Sequence, residues 1–317
     1  MSSREAKQRF SGIDIGVWKG LRTVFPVRVT RSWGDRITEA NDPLGLQVFP
    51  DPSELIADPN DVSDPVGEEK KMPVPWVVQK HADRALLLVT RRCHLHCRYC
   101  FRRDLDGQSD PTTDELRTAV EFLHKSGVHE VILSGGDPLI LRTPKLLGII
   151  DSLRPHIPQI RIHSRAPITF PKRVDEELVE GLKSRQPVWL VVHVNHPDEL
   201  SEDVCLGVER LVDAGIPVLN QSVLLKGVND DPDVLAELSR TLVNLRVKPY
   251  YLHHPDAVPG GGRFRVSLEE GLAIHRALRG KVSGMALPQY VIDPPDGTGK
   301  VPVAEWVSTS VPLPDRR

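Results

Sequence analysis

A chain of 317 residues can bury one large apolar core or two smaller ones. Its 41 basic and 43 acidic residues nearly cancel, which excludes a strong overall pull toward nucleic acid or an anionic membrane surface. No apolar run reaches membrane-spanning length, the opening MSSREAKQRFSG lacks a secretory apolar segment, and the four cysteines do not suggest a disulfide framework, so a reducing cytoplasm is the expected compartment.

Residues 1–80 are expected to form an irregular, partly helical N-terminal extension rather than an independent domain. Within it, GIDIGVWKGLRTVFPVRVTRSWGDRI offers short apolar patches suited to helices. The Pro- and Asp-rich VFPDPSELIADPNDVSDPVGEEKKMPVPWVVQ reads as an extended wrapping arm. From Ala85 the character changes. ALLLVT (85–90) suits a buried strand, and 113–126 has helical periodicity with Thr113 as its expected cap.

Strand-like runs then recur at 130–134, 160–164, 188–194, 218–225 and 247–253. Helix-like stretches near 144–154, 174–185, 202–214, 233–245 and 267–279 alternate with them. Such alternation argues for parallel strands with right-handed crossovers, as a doubly wound sheet or a partly closed barrel. Ser134, Ser164, His193, Gln221 and His253 all fall near C-terminal strand ends, and a cysteine cluster follows the first strand. Polar groups on six strands converge only at a barrel mouth, which favours an α/β partial (βα)6 barrel over 81–303, with 304–317 as a C-terminal tail.

The cluster TRRCHLHCRYCFRRD places Cys93, Cys97 and Cys100 in a C-x3-C-x2-C pattern. Structural zinc, with His94 or His96 as fourth ligand, is one reading of that spacing. Against it, no second ligand pair follows at finger-like spacing. A [4Fe–4S] cube held by three thiolates is the other reading, and it leaves one iron open to a small molecule, whereas electron-transfer clusters normally close all four corners. Cys205, on a helix-like stretch, reads as a buried thiol.

The three-cysteine loop, with Tyr99 before its last cysteine, and the LSGGDPL turn (133–139) resemble the radical S-adenosylmethionine superfamily. The glycines of that turn suit close approach of a ligand to the backbone. In chain order, CRYCFRR, SGGDPL, RIHSRAP, NHPDE, NQSVLLKGVND, PYYLHHPD and GTGKVPV resemble the lysine 2,3-aminomutase family from about Asp64 to Val303. The resemblance implies three cofactors: a [4Fe–4S] cluster, S-adenosylmethionine and pyridoxal 5′-phosphate. It also implies migration of an amino group from Cα to Cβ. A β-hydrogen is not acidic, so a radical must remove it, and the migrating nitrogen needs the π-system of pyridoxal; the protein orients and shields.

On the matching positions, the resemblance makes Cys93, Cys97 and Cys100 the cluster ligands and Lys300 the Schiff-base lysine. Gly135, Gly136, Asp137, Ser164, Arg165, His193 and Gln221 fall to S-adenosylmethionine. Lys80, His81 and Arg84 fall to pyridoxal phosphate, with His81 standing where the family has Tyr. Arg102 would hold the substrate carboxylate, and Asp256 with Asp293 the ε-ammonium of lysine. Two carboxylates in a closed site would repel glutamate, so L-lysine is the implied substrate. Thr298 interrupts the family's run of glycines.

The alternatives are a lysine 2,3-aminomutase that supplies (R)-β-lysine for elongation factor P, a glutamate 2,3-aminomutase, or a non-catalytic zinc or iron–sulfur protein. Some relatives bind zinc through a cysteine where Asp231 stands here and through C-terminal cysteines this sequence lacks, so no zinc is expected. The implied partners are a small-molecule substrate and an electron donor such as flavodoxin or ferredoxin, with no nucleic acid and no membrane. A homo-oligomer is compatible with this reading.

Overall fold

In the computed structural model, which describes residues 1–21, 25–56, 58–103 and 108–310, the N-terminal segment opens with four short helices. These are α1 (Ser3–Arg9), α2 (Ile15–Gly20), α3 (Arg31–Arg36) and α4 (Pro43–Leu46). Each is capped by a Ser, Asp or Thr side chain that accepts from N–H groups of the first turn, which lets such short pieces hold their shape. Phe10, Trp18, Trp33, Leu44 and Phe49 enter the same apolar core as the strands that follow. Trp33 is fully buried, and its indole N–H donates to the Leu44 carbonyl at 3.2 Å.

The arm that follows is extended apart from two 3-10 turns, at Pro52–Leu55 and Glu69–Lys71. It is tied to the far end of the chain. Arg265 pairs with Asp58 and Asp61, and the Val62 N–H donates to the Ala257 carbonyl at 2.8 Å.

Nine strands, among the described residues, form one sheet in chain order. They are β1 (Val77–Val78), β2 (Arg84–Thr90), β3 (Glu130–Gly135), β4 (Gln159–His163), β5 (Val188–His193), β6 (Val218–Val223), β7 (Lys248–His253), β8 (Gln289–Ile292) and β9 (Val301–Pro302). Strands β2 to β8 run parallel, while β1 and β9 are antiparallel additions at the two edges. Pro302 is tolerated because an edge strand need not donate on both sides. The parallel sheet extends the expected set of six by β8, which is too short to stand out in the sequence.

The crossovers are α5 (Thr113–Lys125), α6 (Thr143–Leu153), the single turn α7 (Ala166–Thr169), α8 (Glu176–Lys183), α9 (Glu202–Asp213), α10 (Pro232–Asn244) and α11 (Leu268–Arg279). On α5, Leu116, Ala119, Val120 and Leu123 are buried, the spacing of one helical face. Its cap is Thr112 rather than the expected Thr113. The Thr112 hydroxyl accepts from the Glu115 N–H at 3.2 Å, and the Glu115 carboxylate accepts from the Thr112 N–H at 2.8 Å. Asp231 caps α10 by accepting from the Asp233 N–H at 2.7 Å.

The expected tail at 304–317 is a helix over its described part, α12 (Val303–Ser310). Val303 is fully buried in a second cluster with Leu224, Leu252 and Tyr290. Residues 311–317 lie outside the described residues. No helix among the described residues is long and apolar enough to cross a membrane.

Strand alternation positions the site. Val131 and Leu133 on β3, Ile160 and Ile162 on β4, and Val188, Leu190 and Val192 on β5 belong to the core beneath the helices. Their neighbours Ser134, Arg161, His163, Trp189 and His193 line the barrel interior instead.

Candidate active site

One interior cavity of about 740 Å³ is lined by every residue to which the sequence resemblance gives a role. The chain segments that meet there are far apart in sequence, from Lys80 to Lys300, and converge because parallel strands present their C-terminal ends on one side.

The cysteines lie on the loop after β2, and Cys93, Cys97 and Cys100 all face the cavity as free thiols. Burial first, then Asp137 and the other two cysteines, push the Cys93 thiol well above its ordinary pKa. Burial and then Cys97 raise Cys100 to about 11. Thiols held in the neutral form in this way, as Cys93 and Cys100 are, suit a cationic centre, which reverses that preference. The Arg165 guanidinium donates to Cys97 Sγ at 2.8 Å. His94 lines the cavity, whereas the His96 ring lies against Phe25 with its Nδ1 2.8 Å from the Pro26 carbonyl.

Buried arginines hold this loop. Arg98 is fully buried, with its Nε 3.1 Å from both carboxylate oxygens of Glu54, and Arg103 donates to the same acid at 2.9 Å. Glu54 belongs to the wrapping arm, so the arm and the cysteine loop share one buried charge cluster.

The glycines of the turn after β3 line the cavity and are also packed tightly against the neighbouring chain. A Cβ on Gly135 would come within 2.2 Å of the Thr90 carbonyl oxygen, and one on Gly136 within 2.3 Å of that of Arg92. The crowding is with the cysteine loop itself. The Gly136 and Asp137 N–H groups donate to those same carbonyls, at 2.7 and 2.8 Å.

Asp137 is likewise committed to protein. Its carboxylate accepts from the Leu139, Arg165 and Ala166 N–H groups and from Ser164 Oγ, the last at 2.6 Å. It therefore braces the β3 turn against the β4 turn, and its oxygens have little left for a ligand. The remaining expected groups are more open. His193 Nε2 lies 3.1 Å from Tyr99 Oη, and Gln221 sits opposite His193 on the neighbouring strand.

At the other end of the cavity, the loop between β8 and β9 brings Asp293 and Lys300 together. Lys300 Nζ donates to Asp293 Oδ2 at 2.9 Å, and Lys80 Nζ donates to Oδ1 at 3.0 Å. The ammonium groups hold the Asp293 carboxyl below its ordinary pKa against the opposing effect of burial. Asp256 faces the same space, and burial, then repulsion from Asp293, raises it to about 7. His81 packs on Gly299, where a Cβ would come within 2.5 Å of its Nε2. Gly297 and Gly299 both have positive φ, at 74° and 94°, and Thr298 between them is anchored by hydrogen bonds to Asp296. The substitution for glycine thus falls where glycine's freedom is not used.

Several groups escaped sequence reasoning. Glu68 pairs with Arg102, which also donates to Ser134 Oγ at 3.2 Å and the Gly135 carbonyl at 3.0 Å. Gln47 and Glu199 receive the other side of Arg165, at 2.6 and 3.0 Å, and Asn195 donates to Tyr99 Oη at 2.7 Å. His163 also faces the interior, beside His253, which the sequence already places at a strand end; burial keeps both neutral, His253 with its pKa lowered to about 3. For His163 and Arg161 a signal existed, since they are alternate polar residues inside an apolar strand. For Gln47, Glu68 and Glu199 only tertiary folding reveals a role.

A family model described as the Radical SAM superfamily matches residues 87–238. The L-lysine 2,3-aminomutase of Acetoanaerobium sticklandii is 43% identical over 272 residues, covering 84% of this chain and 66% of that protein. The chain thus spans just under two thirds of that relative. The L-lysine 2,3-aminomutase of Buchnera aphidicola subsp. Baizongia pistaciae is 35% identical, covering 89% of this chain and 85% of that protein. A glutamate 2,3-aminomutase from Clostridioides difficile is 36% identical, covering 83% of this chain and 63% of that protein. Among solved structures, Streptococcus suis SuiB bound to S-adenosylmethionine shares the fold, with a TM-score of 0.50 at 14% identity, covering 67% of this chain and 50% of SuiB. Identity sustained over most of a relative's length, on a barrel of this kind, has one reading: the chain belongs to the lysine 2,3-aminomutase family of the radical SAM superfamily.

Proposed function

We propose that this protein is an L-lysine 2,3-aminomutase, moving the α-amino group of lysine to Cβ. The observation that carries the proposal is the placement of three free thiols and the Asp293–Lys300 pair on the walls of one cavity. Superfamily membership implies a [4Fe–4S] cluster and S-adenosylmethionine, and the residues fit them. Three free thiols on one loop, all lining the cavity, would hold three irons of such a cluster, and the fourth iron would be left for a small molecule. Pyridoxal phosphate is the further group we propose. Bound together, the three supply a carbon-centred radical and a π-system for the migrating nitrogen.

The chain's own groups then have separable tasks. Cys93, Cys97 and Cys100 hold the cluster, and Arg165 contacts Cys97 from the side of Glu199. Lys80, His81 and Arg84 receive the phosphate. Lys300 carries the vitamin, and the flanking glycines let its loop move. Arg102 takes the substrate carboxylate, while Asp256 and Asp293 take the ε-ammonium. Ser164, His193 and Gln221 orient adenosylmethionine, with Gly135, Gly136 and Asp137 shaping the turn beneath it. Burial keeps the imidazoles of His163, His193 and His253 neutral, so they line the interior with polar groups that add no charge. A flavodoxin- or ferredoxin-type donor, a cytoplasmic setting and a homo-oligomeric assembly complete the proposal.

Two acids at one end of the cavity favour lysine over glutamate, whose side-chain carboxylate they would repel. The test is anaerobic reconstitution with iron, sulfide, S-adenosylmethionine, pyridoxal phosphate and a reductant, followed by mass spectrometry of lysine and glutamate incubations. β-Lysine is the expected product. Conversion of glutamate alone would overturn the substrate, and failure of borohydride to trap the vitamin on Lys300 would overturn the cofactor assignment.

A further inference from the structure

Arg102 is spent before any substrate arrives. Its Nε and Nη2 both donate to the Glu68 carboxylate, the former at 2.9 Å, while Nη1 donates to Ser134 Oγ and to the Gly135 carbonyl. A guanidinium has five N–H donors, so only one remains. Clamping an incoming carboxylate needs two parallel donors. The charge is matched as well, since Arg102 and Glu68 face each other with side chains only 12% and 14% exposed.

Glu68 is placed to leave. It sits on the wrapping arm, in a turn held by the Asp64 carboxylate, which accepts the Glu68 and Glu69 N–H groups at 2.8 Å each. The preceding Gly67 has a φ of 67°, and a Cβ there would come within 2.6 Å of the Pro295 carbonyl oxygen. The turn that carries Glu68 therefore rests directly on the loop that carries Asp293 and Lys300.

We propose that Glu68 is an internal stand-in for the substrate carboxylate: it holds Arg102 in the empty site and is displaced when an amino acid binds. The inference rests on the role proposed above for Arg102. Glu68 then sets affinity and selectivity. A ligand must bring a carboxylate able to outcompete a tethered one, so amines that merely fit the lysine side-chain pocket gain nothing from Arg102. The tether gives Glu68 a high effective concentration, and displacement lowers apparent affinity by the same factor.

The test compares L-lysine with cadaverine, which is lysine without its carboxylate. The protein is loaded with cluster, S-adenosylmethionine and pyridoxal phosphate but given no reductant, and binding is read from the pyridoxal absorbance. Glu68→Gln should bind lysine roughly ten-fold tighter, on the scale of one charge-assisted hydrogen bond. Its cadaverine affinity should be unchanged. Lysine binding that is unchanged or weaker, or an equal shift for both ligands, overturns the proposal, because a merely structural Glu68 moves both together.

Should the Gln variant fold poorly, Glu68→Asp keeps the charge and retracts it, with a smaller gain of the same sign expected. In the unaltered protein, lysine but not cadaverine should speed amide hydrogen exchange over residues 66–71; equal exchange with both also overturns it. Arg102→Gln separates the two readings. If that change leaves lysine binding intact, the assignment of Arg102 itself fails. If it weakens lysine binding while Glu68→Gln has no effect, only the stand-in fails.

Discussion

Asp256 is where single-residue chemistry meets recognition. Burial and the neighbouring Asp293 raise its carboxyl to about 7, so near neutrality it is divided between acid and carboxylate. An ammonium ligand, whose own pKa lies near ~10.4, binds the carboxylate form and drives off the proton. Lysine affinity should therefore rise with pH, by up to about ten-fold per unit below that pKa, and level off above it. Measuring KM for lysine between pH 6 and 8 checks this, and Asp256→Asn should flatten the profile. For stability the sign is opposite. The native state keeps a proton that the unfolded chain has lost, so this residue's contribution is present in acid and lost as pH rises from its ordinary 3.8 to about 7. The resemblance pairs Asp256 with Asp293 as acids for an ammonium; the burial that raises its pKa is a property of the folded loops.

At the scale of the element, the cysteine loop has no regular structure to hold it and depends on the arm. Arg98, between two of the residues that face the cavity, points the opposite way and ends on Glu54, together with Arg103. Burial works against the charge of Arg98, and Glu54 opposes that effect. Breaking a buried pair of this kind typically costs about 3–5 kcal/mol, because the remaining charges lose their partner. Glu54→Gln should lower unfolding stability by an amount of that order in urea titrations and reduce the iron taken up per chain. Unchanged iron content would show that the loop is positioned by other contacts. The cysteine pattern was legible because spacing within one loop is a local property. The acid that holds it was not, since Glu54 lies 44 residues before Arg98.

On the scale of the molecule, the N-terminal helices and the barrel share one core, and this links the periphery to the site. Trp33 belongs to that shared core, its indole bonded to the Leu44 carbonyl of α4, and the Arg165 guanidinium rests 4.7 Å from its ring. Trp33→Ala should cost about 3–5 kcal/mol. The loss should appear as one cooperative transition in calorimetry, with helices and barrel melting together. Two separate transitions would show that residues 1–49 fold apart from the barrel.

The amino-acid order alone determined the alternation of strands and helices, the three-cysteine loop, the glycine turn and the lysine near the end, because periodicity and short spacings are local and survive without a fold. The C-terminal tail it expected from 304 is a helix over its described part, a short element that is stabilised by packing on α11, β8 and β9. Tertiary structure decided which polar groups are partners: Glu68 with Arg102, Glu54 with Arg98, Gln47 and Glu199 with Arg165, and Lys80 with Asp293. The physical reason is burial. A charged group exposed on an isolated segment is satisfied by water, and only when the barrel closes around it must the chain itself supply the opposite charge.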